Sequence, residues 1–200
     1  MSGNKLNTTS KNPLRRIQYN APFTLTFALV ALAVLGLSKL TGGVSTTRLF
    51  SVYSAPLTDP LTYVRFFGHV LGHSSLQHYT GNFLILLMVG PLLEEKYGSK
   101  LLVAMTAITA LVTGIFFIIL TSGSALLGAS SIVFMLILLS SFTNLQEGRI
   151  PLTLVAALAI YLGQEIFAGI TRSDNISQLA HIIGGICGVL FGFYIAKRKK

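Results

Sequence analysis

Six stretches of this chain are each apolar enough, over nearly enough length, to cross a membrane: about 22–40, 77–94, 101–121, 127–143, 150–168 and 178–196. A hydrocarbon core ~30 Å thick takes about 20 such residues as a helix. No water is present there to satisfy the backbone, so a single-chain apolar run of this kind must close its own hydrogen bonds. The expected fold is therefore an all-α membrane protein, a bundle of six transmembrane helices. Composition agrees, with 52% hydrophobic and only 10% charged residues, where soluble domains carry roughly 25% charged. At 200 residues there is no room for a second sizeable domain. The expected division is a polar tail over 1–20, a membrane domain over 21–196 and a basic tail over 197–200.

The net charge of +9 does not signal nucleic acid, because the basic residues sit in short flanks of the apolar runs. Eleven of them (Lys5, Lys11, Arg15, Arg16, Lys96, Lys100, Arg149, Lys197, Arg198, Lys199 and Lys200) fall on one side of the predicted topology. Four (Lys39, Arg48, Arg65 and Arg172) fall on the other. Positive residues accumulate on the cytoplasmic side, so both termini are expected there, in a protein of the cell membrane. The first twenty residues lack the apolar centre of a signal peptide. Cys187 is the single cysteine, which rules out an intramolecular disulfide and reads as a small core residue. No internal repeat and no set of paired intramembrane charges suggests a transporter.

Segment 41–76 then faces outward. It holds Pro56, Pro60, Tyr63, Phe66, Phe67, Val70 and Leu71, too apolar for a plain solvent loop, and is expected to be structured and to lie in the membrane interface.

Polar groups inside spans are costly and face a cavity or a partner. Here they are His69, His73, His78 and Asn82 around the second span, Ser130 and Ser131 in the fourth, and His181 in the sixth. At ~1.5 Å per residue, Ser130 lies ~21 Å, His181 ~22 Å, His78 ~24 Å and Asn82 ~18 Å from the expected cytoplasmic ends of their helices. Four polar side chains from three spans thus share one layer. His78 and Asn82, four residues apart, share one helix face. A serine and a histidine at one depth suggest a nucleophile with its general base. His78 and Asn82 are placed to donate to a developing oxyanion, where one donor is worth ~3–4 kcal/mol. Ser130 would start a helix, whose free N–H groups favour negative charge, and Gly128 would let a substrate backbone approach. No carboxylate lies at the same depth, so a Ser–His dyad is expected, with no metal and no cofactor. His69 and His73 are expected to be structural, hydrogen-bonding the embedded loop. Glu94, Glu95 and Lys96 read as a solvated, ion-paired turn, and Glu165 either snorkels to water, the favoured reading, or lines the side where substrate enters.

These residues resemble the rhomboid family of intramembrane serine proteases. "HSSLQHYTGN" is similar to the family's second-span signature and falls on His73, His78 and Asn82. "GASS" resembles the nucleophile motif Gly-x-Ser-Gly, on Gly128 and Ser130. "AHIIGGICG" resembles the sixth-span motif, with His181, Gly184, Gly185 and Gly188. "EEKYGS" is similar to the turn after the second span, with Glu94 and Gly98, and Arg65 to the arginine of the first loop. The resemblance implies cleavage of membrane-anchored substrates in or beside their transmembrane helix. Ser130 would be the nucleophile and His181 the base and acid. His78, Asn82 and the Ser130 N–H would form the oxyanion hole. Gly184, Gly188 and Gly192 form a small-residue stripe suited to close helix contact. The expected partners are transmembrane protein substrates and the lipid bilayer, while nothing specifies the oligomeric state.

The chain departs from the family pattern at three places. Ser131 replaces the second glycine of the nucleophile motif and adds a Cβ and a hydroxyl beside Ser130. Phe134 replaces a common tyrosine, keeping a ring for His181 to pack on. Val64 precedes Arg65 where tryptophan is frequent. None removes a catalytic group, but Ser131 keeps an alternative open: a catalytically impaired relative that binds membrane helices.

Overall fold

The computed structural model describes residues 18–142 and 176–198, with helical positions at 152–153, 155–156 and 159–160. The elements are α1 (Pro22–Leu40), α2 (Val44–Leu49), β1 (Val52–Tyr53), α3 (Pro60–Gly68), α4 (Leu76–Tyr97), α5 (Ser99–Leu120), β2 (Ala125–Leu126), α6 (Ser130–Ser140) and α7 (Ile176–Arg198). Four helices among the described residues are long and apolar enough to cross a membrane: α1, α4, α5 and the Gln178–Lys197 part of α7. The predicted N-terminal tail up to residue 17 and most of the predicted span 150–168 lie outside the described residues, together with Asn144, Arg149, Glu165 and Arg172. The sixth predicted span runs two residues further than expected, to Arg198.

The short helix α6 is central. Ser131, Ile132, Val133, Met135, Leu136, Leu138 and Leu139 are all buried, on every side of the helix, as befits an element enclosed by others. It packs against α4, α5 and, most extensively, α7. The long helices instead keep apolar side chains outward, such as Leu29 and Leu32 on α1, Leu84 and Met88 on α4, and Ile119 on α5. That distribution suits a lipid surround.

The first loop is structured, and it is built inside out. On α3 the buried residues include Thr62 and Arg65, whereas Leu61, Tyr63, Val64 and Phe67 are exposed. Asp59 caps α3 by accepting from the Leu61 N–H at 2.9 Å, and Pro60 occupies the first helical position, where its missing N–H costs nothing. Arg65 then ties the loop together. Its guanidinium pairs with Asp59 at 3.0 Å, its Nε donates to the Arg48 carbonyl at 2.9 Å, and it lies 4.6 Å over the Tyr53 ring.

One expectation is overturned. Glu94 does not lie in a solvated turn; it is buried and holds the start of α1. Its Oε1 accepts from the Phe23 N–H at 2.7 Å and from the Ser99 hydroxyl at 2.6 Å. Its Oε2 accepts from the Thr24 N–H at 2.9 Å and the Thr24 hydroxyl at 2.8 Å. The physical reason lies in α1, whose first turn contains no acidic residue and whose N-cap, Ala21, offers no side-chain acceptor. Free N–H groups at a helix start need an acceptor, and α4 supplies it. Gly90 makes room for this crossing, since a Cβ there would come within 2.7 Å of Thr24 Cγ2.

Candidate active site

The segment leading into Ser130 is fastened to the first loop along its length. β2 pairs antiparallel with β1, Val52 opposite Leu126 and Tyr53 opposite Ala125. The Gly128 N–H donates to the His69 carbonyl at 2.9 Å. The Ala129 N–H donates to His73 Nε2 at 3.4 Å. His69 is itself anchored on α5, with Nε2 3.1 Å from the Ala110 carbonyl. His73 Nδ1 lies 3.2 Å from the Leu71 carbonyl. A carbonyl can only accept, so Nδ1 carries the proton and Nε2 is free to accept from Ala129. Burial pushes His73 down to about 4, which keeps the neutral ring that this arrangement requires. Both histidines thus bond the loop to its neighbours.

These bonds take up the Gly128 and Ala129 amides. Helix α6 begins at Ser130, with Ala129 as its N-cap, and the first helical bond runs from Val133 N–H to the Ala129 carbonyl at 2.9 Å. The Ser130 N–H occupies the first helical position, which has no intrahelical acceptor. Ser130 itself is half-buried.

Gly128 is required on two counts. Its φ of +122° lies where side chains are rarely tolerated. A Cβ there would also lie 2.7 Å from His78 Nε2 and 3.9 Å from Asn82 Nδ2. The predicted second-span pair therefore faces the backbone just ahead of Ser130. His78 is fixed by its backbone, its N–H donating to the Ser75 cap at 3.0 Å, and its ring lies 5.0 Å from that of His73. Asn82 is buried, and its amide donates one hydrogen to the His78 carbonyl at 3.0 Å. A primary amide has two such hydrogens, so one remains for another acceptor.

On the other side stands α7. The His181 ring packs on Phe134, with centroids 4.4 Å apart. Phe134 is four residues after Ser130, on the same face of α6. Three residues after His181, a Cβ on Gly184 would run into the Ser131 carbonyl; one on Gly188 would meet the Met135 carbonyl, and one on Gly192 the Phe142 ring. The small-residue stripe thus lies against α6 along its length. Ser131 does not hold the helices apart, because Gly184 meets its backbone rather than its side chain. The Ser131 side chain is buried, with no hydrogen-bond partner for its hydroxyl among the described residues. His78 and Asn82 thus border Gly128, two residues before Ser130, and His181 packs on Phe134, four residues after it. Sequence reasoning did not find Ser74, whose Oγ lies 3.2 Å from His78 Nδ1. The available signal was a pair of serines immediately before a predicted helix.

Residues 60–198 match the rhomboid domain. The chain is 30% identical over 145 residues to the Rhomboid-related protein 1 of Caenorhabditis elegans, an alignment covering 66% of this chain and 39% of that protein. The chain thus spans well under half the length of this curated relative.

Proposed function

Because the chain belongs to the rhomboid family, we propose that it is an intramembrane serine endopeptidase acting on proteins held in the bilayer by a transmembrane segment. The observation that carries this reading is the grouping at the start of α6. Ser130 opens the helix, His78 and Asn82 border Gly128, and His181 covers the same face of α6 through Phe134.

In this reading the Ser130 hydroxyl attacks the scissile carbonyl carbon, and His181 takes the hydroxyl proton. The carbonyl oxygen becomes an oxyanion that accepts from His78, from the second Asn82 hydrogen and from the Ser130 N–H. His181 then returns the proton to the leaving amine, and the acyl group stays on Ser130. A water molecule, deprotonated by His181, releases it. Packing on Phe134 and the close approach at Gly184 orient the base. The full domain in this reading is a six-span bundle over 21–196. The first loop lies half in the membrane with its apolar α3 face toward lipid. Both termini are cytoplasmic, and the cell membrane is the location.

The test is cleavage of single-span substrates by the purified protein in bilayers, beside Ser130→Ala and His181→Ala. Cleavage by the wild type and by neither variant is expected. Cleavage that persists in Ser130→Ala would refute the nucleophile. If the wild type is inactive and Ser131→Gly gains activity, the departure at Ser131 has silenced an otherwise complete site. Inactivity of both across substrates favours the helix-binding alternative.

A further inference from the structure

Two adjacent serines precede α4, and they grip the same histidine at two points. Ser75 is the N-cap and accepts from the His78 backbone N–H at 3.0 Å. Ser74, one residue earlier, reaches the His78 ring, with its Oγ 3.2 Å from Nδ1. The opposite ring nitrogen, Nε2, is the one that faces Gly128, where an added Cβ would come within 2.7 Å. The two nitrogens thus face different tasks. A neutral imidazole carries one proton, and the hydrogen bond made by one nitrogen decides what the other presents.

We propose that Ser74 is a positioning residue for the proteolytic reaction: its hydroxyl donates to His78 Nδ1, fixing the ring so that Nε2–H points at the backbone ahead of Ser130. This rests on the protease reading above, in which Nε2–H meets the oxyanion. If Nδ1 carried the proton, Nε2 would turn a lone pair toward the developing negative charge. Ser74 is exposed, so water can serve its oxygen lone pairs while its proton goes to the imidazole, the stronger acceptor. With Ser75 holding the backbone, Ser74 holding Nδ1 and the His73 ring 5.0 Å away, the ring has little freedom to turn. Ser74 touches neither substrate nor reacting atoms in this scheme; it acts through His78.

The experiment combines kinetics on a single-span substrate with nitrogen NMR of histidine-labelled protein in bicelles. It compares the wild type, Ser74→Ala, Ser74→Thr and, to assign the ring signals, His78→Gln. One ordinary hydrogen bond is at stake, so Ser74→Ala is expected to lower kcat by about two- to tenfold with KM unchanged. The His78 Nδ1 signal of the wild type should be that of an unprotonated acceptor, and it should shift in Ser74→Ala. Threonine keeps the hydroxyl and should restore both. The proposal is overturned if Ser74→Ala keeps the wild-type kcat, if its loss appears in KM instead, if the His78 signals do not move, or if threonine fails to restore them. An inactive wild type would sink the protease reading separately. The nitrogen signals would still show whether Ser74 holds the ring.

Discussion

Removing the Glu94 carboxylate should destabilise the protein severely without touching its chemistry. Four donors converge on this buried group: Phe23 N–H, Thr24 N–H, the Thr24 hydroxyl and the Ser99 hydroxyl. Thr24 is only 1% exposed, so Glu94→Ala leaves its two donors without a replacement, whereas Phe23 and Ser99 are part-buried and closer to water. An unmet buried donor costs ~1–3 kcal/mol, which sets the loss at about 2–6 kcal/mol, against a typical total stability of ~5–15 kcal/mol. Glu94→Gln should cost less. Its carbonyl oxygen can keep both Thr24 bonds and its NH₂ can donate to Ser99, leaving one conflict with the Phe23 N–H, or ~1–3 kcal/mol. Reversible unfolding in bicelles measures both. Glu94 is ~24 Å along α4 from His78, so kcat at a temperature where each variant stays folded should match the wild type. Glu94→Ala within ~0.5 kcal/mol of wild type, the ordinary range for an inconsequential surface change, would refute the capping role.

Gly184→Ala places a methyl against the Ser131 carbonyl; overpacking of this kind costs ~1–3 kcal/mol. It should part α6 from α7 and lower proteolysis at least tenfold, whereas Ile182→Ala on the exposed side of α7 should change neither stability nor cleavage. Gly128→Ala forces a side chain into φ +122° at ~1–3 kcal/mol, and it displaces the His78 ring; kcat should fall further than the melting temperature suggests. The Leu61 N–H and, next, the Arg65 guanidinium hold the Asp59 carboxyl below its ordinary value. A carboxyl depressed in the fold adds stability above its unfolded pKa and loses it as pH falls through the folded one. The wild type should therefore lose stability relative to Asp59→Asn as pH drops below about 4, and equal slopes for the two would remove Asp59 from the account.

Four of the six apolar runs are membrane-length helices among the described residues, legible because lipid allows few solutions, while the fourth run carries only the 11-residue α6. Ser130, His181, His78 and Asn82 could be singled out as polar groups within apolar runs; the structure borders Gly128 with His78 and Asn82 and packs His181 on Phe134. Glu94 was misread for a local reason. Beside Glu95 and Lys96 it resembles a charged turn, and nothing near it in sequence announces that α1, seventy residues away, begins without an acceptor. Ser74 was missed because a serine before a helix is ordinarily a cap. Here Ser75 takes that role, which leaves Ser74 for the ring. The inward side of α3 mixes Thr62 and Arg65 with Phe66 and Gly68, and the pairing of Arg65 with Asp59, Arg48 and Tyr53 shows which face turns inward.

The first loop therefore matters to the site through hydrogen bonds rather than through cover alone. Three of its groups hold the backbone ahead of Ser130: β1 pairs with Ala125 and Leu126, the His69 carbonyl accepts from Gly128 and His73 Nε2 accepts from Ala129. Helix α6 cannot begin before Ala129 without breaking one of them, and after Ala129 the next amide is that of Ser130. The loop thus sets where the helix starts, and the helix start sets which N–H is left for a negative charge. His73 is the last of the three holds. Its loss would release the Ala129 N–H and loosen the turn that aims the Ser130 N–H. His73→Ala should then impair catalysis, although the ring touches no reacting atom in this scheme. His73→Gln, whose amide can still offer an acceptor to Ala129, should recover part of it. Equal activity of His73→Ala and wild type would show that α6 keeps its start without the loop.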